Sequence, residues 1–283
     1  MDILRIGIIG AGTMGGGIAQ LAAQNGFSVV LEDINEEYVT AGLKKIQERL
    51  ENRVHEGKMN VVAMEKILSR IRISTDMEDF KDSDLIIEAV VENDEIKKQV
   101  FSKLDKICRK DVIFTSNTSS ISITRLAQAT VRQDRFAGMH FMNPAFIMKL
   151  VEVVRGLRTS QETIDTILSL SGKMGKTPVI VNDSPGFISN RLLMPMINEA
   201  VYCLYDGISS IESIDTIMKL GANHPMGPLE LADLIGLDVC LYVLETLHKD
   251  LGGKYMPCPL LRKMVEGGKL GKKNGEGFYD YRK

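Results

Sequence analysis

Short apolar runs alternate with amphipathic stretches through the first two-thirds of the chain. Residues 3–9, 27–31, 85–91, 112–115, 135–141, 150–154 and 179–181 are rich in Ile, Val, Leu and Phe and read as buried strands. Between the first two, Ile18, Leu21 and Ala22 recur at helical spacing, with Gln20 and Gln24 on the polar face. Residues 35–70 form a long charged helical stretch that Gly57 should interrupt, and residues 96–108 read as another helix. Apolar strands separated by helices predict a mostly parallel sheet covered on both faces. The grammar changes at Asn182-Asp183-Ser184-Pro185-Gly186. Beyond it the pattern is helical over 187–204, 210–220 and 229–247, and Pro195 predicts a kink in the first of these. The expected fold class is α/β, with a doubly wound domain over residues 1–184 and a smaller all-helical domain over 185–283.

The turn after the first strand makes that domain Rossmann-like. Gly10-Ala11-Gly12-Thr13-Met14-Gly15 follows the strand directly and opens a helix. Gly10 allows a tight turn, Gly12 lets the backbone approach a pyrophosphate, and Gly15 lets the helix pack closely on the strand. The phosphates would then rest on backbone N–H groups at a helix N-terminus, with Thr13 and Met14 in the first turn. Asp33 closes the second strand 21 residues after Gly12, near the spacing of a ribose-binding acid. Glu32 and Asp33 together favour NAD over NADP, because carboxylates accept from ribose hydroxyls and repel a 2′-phosphate.

Composition narrows the partners. A net charge of −2 provides no global basic field for nucleic acid or an anionic membrane. No apolar stretch approaches the roughly 20 residues that span a bilayer. The first strand begins almost at once, which leaves no room for a signal peptide and predicts a soluble, cytoplasmic protein. Cys108, Cys203, Cys240 and Cys258 are scattered, with no CxxC spacing, as expected of small apolar residues in a reducing compartment; no metal site is expected.

Catalytic groups are expected just after the later strands, where open parallel sheets bind ligands. Of four histidines, at 55, 140, 224 and 248, His140 ends a strand and is followed by the turn Phe141-Met142-Asn143-Pro144. Histidine exchanges protons near neutral pH, as carbonyl reduction requires, although a lone strand-end histidine is more often structural, so position alone does not decide. Glu152 interrupts the apolar run Leu150-Val151-Glu152-Val153-Val154, where a buried carboxylate needs a partner. A nearby imidazolium would supply one; an edge strand facing water is the other reading. Ser119, in Ser116-Asn117-Thr118-Ser119-Ser120, follows a strand and suits either substrate contact or helix capping. Asn190 faces either a cleft or solvent.

Taken together, these segments resemble the 3-hydroxyacyl-CoA dehydrogenase family over essentially the whole chain. They include the glycine-rich turn, the Ser116–Ser120 segment, His140-Phe141-Met142-Asn143-Pro144, Lys149-Leu150-Val151-Glu152-Val153 and Pro185-Gly186-Phe187-Ile188-Ser189-Asn190-Arg191. Gly221-Ala222-Asn223-His224-Pro225-Met226-Gly227-Pro228 and Gly277-Phe278-Tyr279-Asp280-Tyr281 complete the set. The pattern is most similar to short bacterial members that act on 3-hydroxybutyryl-CoA. The resemblance implies NAD as cofactor, an acyl-CoA substrate, His140 as acid/base, Glu152 as its orienting partner, and Ser119 and Asn190 at the reacting oxygen. It further implies cofactor contacts from Glu92, Lys97, Asn117 and Asn143. Arg53 and Lys58 would approach the CoA phosphates, although interspersed acids fit a solvated mixed-charge face equally well. His224 is given a structural or dimer role, and His55 and His248 are expected to be exposed. A homodimer or higher homo-oligomer through the second domain is implied as well. Two other readings remain: a dehydrogenase of free hydroxy acids, and a non-catalytic NAD-binding protein.

Overall fold

The computed structural model describes residues 2–282 and divides into two compact units, one running to Ser184 and the other starting at Pro185. In the first unit the elements are β1 (Arg5–Ile9), α1 (Thr13–Gln24), β2 (Ser28–Glu32), α2 (Glu36–His55), α3 (Val61–Leu68), β3 (Ile71–Ser74) and β4 (Leu85–Glu88). Then follow α4 (Asp94–Ile107), β5 (Ile113–Ser116), α5 (Ile123–Ala127), β6 (Phe136–Phe141), β7 (Leu150–Arg155), α6 (Gln161–Lys173) and β8 (Thr177–Asn182). They form one eight-stranded sheet in the order β3-β2-β1-β4-β5-β6-β7-β8. Every neighbouring pair is parallel except β6 with β7.

Strand alternation assigns the two faces. Ile6 and Ile8 of β1, Ile87 of β4, Met139 of β6 and Val151 and Val153 of β7 share a core with α1, α2, α3 and α6. On the other side Phe101 of α4 meets Phe136 with ring centroids 4.6 Å apart and Phe114 at 5.9 Å. Central strands covered on both faces are the reason for their unbroken apolar runs.

Several boundaries differ from the pattern reading. The strand expected over 85–91 leaves the sheet after Glu88, whose carboxylate accepts the Val90 N–H at 2.8 Å. Gln20, expected on a polar helix face, is fully buried and accepts from Arg49 Nε at 2.7 Å. β3, α5 and α6 were not legible as elements. Gly57 (φ +70°) does separate α2 from α3.

The second unit is helical: α7 (Ser189–Tyr205), α8 (Ile211–Gly221), α9 (Pro228–Ile235), α10 (Leu237–Leu251) and α11 (Pro259–Glu266). Met194, Ile197, Leu229, Leu237, Leu244 and Leu261 are among its core. Pro195 lies inside α7. The single helix expected over 229–247 is two, because Gly236 at φ +105° breaks it. Two buried aspartates organise this unit. Asp215 accepts from the backbone of Leu229 and Glu230 at the start of α9, and Asp233 accepts from Phe278 and Tyr279 of the C-terminal segment. Among the described residues no helix is long and apolar enough to cross a membrane.

The turn between β1 and α1 depends on one close approach. A Cβ on Gly15 would lie 1.7 Å from the Gly10 carbonyl oxygen. Gly15→Ala should therefore destabilise the protein by on the order of 3 kcal/mol, measured by urea unfolding. A variant as stable as the parent would show that the turn relaxes freely.

Candidate active site

Ligands of open α/β sheets bind beyond the carboxyl ends of the strands where the order reverses, here between β1 and β4. A groove of about 640 Å³ lies there, lined by Gly10, Gly12, Met14, Asp33, Tyr38 and Val91 among others. Gly10 (φ +96°) turns the chain, its N–H donating to the Glu32 carbonyl at 2.8 Å. Asp33 accepts from Ala11 N at 2.7 Å and from Ile34 N at 2.8 Å, so its carboxylate is fixed at the groove edge. No side chain caps the N-terminus of α1, and a Cβ on Gly12 would point into open space. The missing side chain leaves room for a bulky anion against the helix N-terminus, and the residues present fit a dinucleotide.

The catalytic candidates of the first unit converge along the ends of β4, β5 and β6. Antiparallel pairing sets His140 directly opposite Glu152, and His140 Nδ1 lies 2.8 Å from Glu152 Oε2. The two are 6 % and 2 % exposed. Since a carboxylate only accepts, Nδ1 carries the hydrogen between them. Next to β6, Asn117 Oδ1 accepts the Phe141 N–H at 2.9 Å, extending the β5–β6 ladder past its last backbone pair. Ser119 follows in the same turn, half-buried, with its N–H donating to Glu92 Oε1 at 2.9 Å.

Glu92, half-buried, belongs to a charged cluster with the buried Lys97 and Glu88. Its Oε1 also accepts from the Thr118 hydroxyl and from the Ser120 N–H and hydroxyl, and its Oε2 lies 3.3 Å from Lys97 Nζ. Burial disfavours the Glu92 anion, but Lys97 and the Thr118 and Ser119 donors outweigh it and hold the carboxyl below its usual range. Lys97 is 1 % exposed and donates to Glu88 Oε1 at 2.6 Å. Glu88, at the end of β4, was not singled out from the sequence; an acid ending an apolar strand run was the signal available.

The remaining candidates lie elsewhere. Asn143 is exposed in the turn after β6, where the chain passes through a cis Asn143–Pro144 bond. Arg53 and Lys58 are exposed, and Lys58 pairs with Glu56 at 2.8 Å. The basic group that α2 holds in place is Arg49, bonded to Gln20 and stacked 5.0 Å from the Phe146 ring centroid. Asn190 stands in the first turn of α7 in the second unit. Among the described residues no cluster of His, Cys, Asp and Glu is arranged to hold a metal.

An uncapped helix N-terminus at a glycine-rich turn, an anchored acid at the groove edge and a buried His–Glu pair on the same sheet define an NAD-binding oxidoreductase of the Rossmann class. Comparison with known proteins makes the class specific. Residues 5–184 match the model of the 3-hydroxyacyl-CoA dehydrogenase NAD-binding domain, and residues 186–281 match that of the family's C-terminal domain. The chain is 54% identical over 282 residues to a probable 3-hydroxybutyryl-CoA dehydrogenase of Bacillus subtilis, covering 99% of this chain and 98% of that one. It is 50% identical over 281 residues to the 3-hydroxybutyryl-CoA dehydrogenase of Clostridioides difficile, covering 99% and 100%. The crystal structure of (S)-3-hydroxybutyryl-CoA dehydrogenase from Ralstonia eutropha superposes with a TM-score of 0.96 at 48% identity, covering all of both chains. The chain belongs to the 3-hydroxyacyl-CoA dehydrogenase family, and its cofactor is NAD.

Beside Asp33, Glu32 is 3 % exposed, and burial together with Asp33 and Asp76 pushes its carboxyl up to about 7, against the pull of Lys103. A native value above the ordinary 4.5 means that the folded protein binds more protons than the unfolded chain between those limits. Stability contributed by this group is therefore present at low pH and lost as pH rises through about 7. Glu32→Gln should raise the unfolding free energy at pH 8 by roughly 1–3 kcal/mol and leave it unchanged near pH 4. Urea denaturation at both values checks this; equal stabilities at pH 8 would contradict it.

Proposed function

We propose that this enzyme interconverts (S)-3-hydroxybutyryl-CoA, and short 3-hydroxyacyl-CoA thioesters like it, with acetoacetyl-CoA and its analogues. The observation that carries the reading is the buried His140–Glu152 contact at 2.8 Å, with His140 near the carboxyl end of β6, on the same edge of the parallel strands as the dinucleotide groove. The chain's similarity to bacterial enzymes named for this substrate supports the thioester over a free acid.

Gly10, Gly12, Thr13, Met14 and Gly15 would hold the pyrophosphate, and Asp33 the adenosine ribose. Glu92, Asn117 and Asn143 would stand on the nicotinamide side, with Lys97 acting through Glu92. When bound, NADH supplies the hydride for C3 and NAD accepts it in the reverse direction. His140 Nε2 delivers a proton to the developing alkoxide during reduction and removes the hydroxyl proton during oxidation. Glu152 stabilises the imidazolium and fixes which nitrogen works. Ser119 donates to the oxygen as charge builds on it, a role that the family resemblance also implies for Asn190. Arg53 and Lys58 would meet the CoA phosphates.

The second unit serves substrate binding and self-association, the latter supported by Leu192 (70 % exposed) and Leu220 (83 %), which leave apolar surface on α7 and α8. A homodimer or higher homo-oligomer in the cytoplasm is the expected form.

His140→Gln and Glu152→Gln should each lower kcat for acetoacetyl-CoA reduction by about 10²–10⁴-fold while NADH affinity, read by fluorescence titration, stays within about twofold. Wild-type turnover in His140→Gln would remove His140 from the chemistry. In steady-state assays with acetoacetyl-CoA, kcat/KM for NADH should exceed that for NADPH by at least about tenfold, as Asp33 requires. Free acetoacetate should be a far poorer oxidant of NADH than its thioester. Equal rates would point to a hydroxy-acid dehydrogenase instead.

A further inference from the structure

Glu88 is fully buried at the carboxyl end of β4, a position where an apolar residue would continue the strand pattern. Three donors meet its carboxylate: Lys97 Nζ at 2.6 Å, the Ser116 hydroxyl at 2.6 Å and the Val90 N–H at 2.8 Å. Three converging donors, one of them an ammonium, are what a buried carboxylate requires. The site is thus built to keep an acceptor at this point.

The contacts continue in one direction. Lys97 Nζ spans from Glu88 Oε1 to Glu92 Oε2 at 3.3 Å and also reaches the Val90 carbonyl at 3.3 Å. The opposite oxygen of Glu92 gathers the Thr118 hydroxyl, the Ser119 N–H and both donors of Ser120. The Thr118 hydroxyl oxygen in turn accepts from Ile121 N at 2.9 Å. The turn carrying Ser119 is therefore suspended from Glu92, and Glu92 is held by a lysine whose other side rests on Glu88. On the far side of the same turn Asn117 is bonded to Phe141, the neighbour of His140.

We propose that Glu88 is a positioning residue for the reaction: through Lys97 and Glu92 it sets the Thr118–Ser120 turn, and with it Ser119, relative to His140. This rests on the functional reading above, in which Ser119 donates to the substrate oxygen. Glu88 touches neither substrate nor cofactor; its effect passes along the three charged groups. A loss of the Glu88 charge leaves Lys97 with one carboxylate partner in place of two, and it shifts toward Glu92 and the turn that Glu92 holds. Sub-ångström displacement of a hydrogen-bond donor is enough to lower a rate without weakening binding.

The test is a double-mutant cycle of Glu88→Gln with Ser119→Ala, measured on the full-length enzyme with acetoacetyl-CoA and NADH. Glu88→Gln alone should lower kcat by about tenfold or more, with the acetoacetyl-CoA KM and the NADH Kd changed less than about twofold. In the Ser119→Ala background the same substitution should lower kcat by less than about twofold, because the group it positions is already gone. Ser116→Ala, which removes one donor from Glu88 with less disturbance to folding, should repeat the pattern at smaller size and serves if Glu88→Gln does not fold. Equal losses in both backgrounds, or no loss in kcat, overturn the inference and leave the functional reading standing. Absence of turnover in the unsubstituted enzyme overturns both.

Discussion

A carboxylate held out of water in the middle of an apolar strand is unstable unless a partner meets it. In this chain the antiparallel register of β6 and β7 brings that partner to Glu152 in the form of His140. Much else follows from that one requirement. β7 must run against the direction of β1 to β6, so the sheet departs from all-parallel pairing at this pair alone. His140 must point away from the face on which Met139 and Phe141 join the core shared with α1 and α6. The start of the turn after β5 is tied to β6 beside His140 by the Asn117–Phe141 bond. A desolvated acid thus constrains strand direction, side-chain alternation and loop placement together.

Acidic side chains also hold the backbone at several other places where it leaves regular structure. Asp33 holds the glycine-rich turn by the Ala11 N–H, Glu92 the turn after β5, and Asp183 the start of α5 through Ile123 and Thr124. Asp215 and Asp233 do likewise for α9 and the C-terminal segment. Loops with no ladder partners expose N–H donors, and acidic side chains are the acceptors that answer them without competing donors of their own. The near-balanced net charge of −2 therefore conceals a division of labour, in which many acids bind backbone while most lysines face solvent.

The order of the elements was legible because it depends on local periodicity. Strands buried on both faces appear as apolar runs, and Gly57 and the Asn182–Gly186 cluster announce breaks. β3 escaped because Ile71-Arg72-Ile73-Ser74 is short and alternates, which an edge strand permits but a helix end also allows. The split between α9 and α10 escaped because Gly236 is a lone glycine inside an otherwise helical pattern, and only its positive φ distinguishes a break from a tolerated residue. His140 and Glu152 could be suspected singly from their places in apolar strands. Their pairing was expected from the family resemblance and not from periodicity, which does not encode register between strands, a tertiary property. Glu88 and Gln20 were missed for the related reason that a lone polar residue in an apolar context states that a partner exists without saying which one it is.

The hairpin of β6 and β7 separates two kinds of evolutionary freedom. The contact between His140 and Glu152 is fixed by the ladder, whose pairs run from Gly138↔Val154 to Phe141↔Val151, and not by the eight residues from 142 to 149 that join the strands. A single insertion within either strand would turn one member of the pair to the opposite face and break the contact. Insertions in the connecting segment leave the ladder untouched and reshape only what surrounds it. A lineage built on this sheet can therefore lengthen or shorten that loop while the His140–Glu152 contact is inherited unchanged.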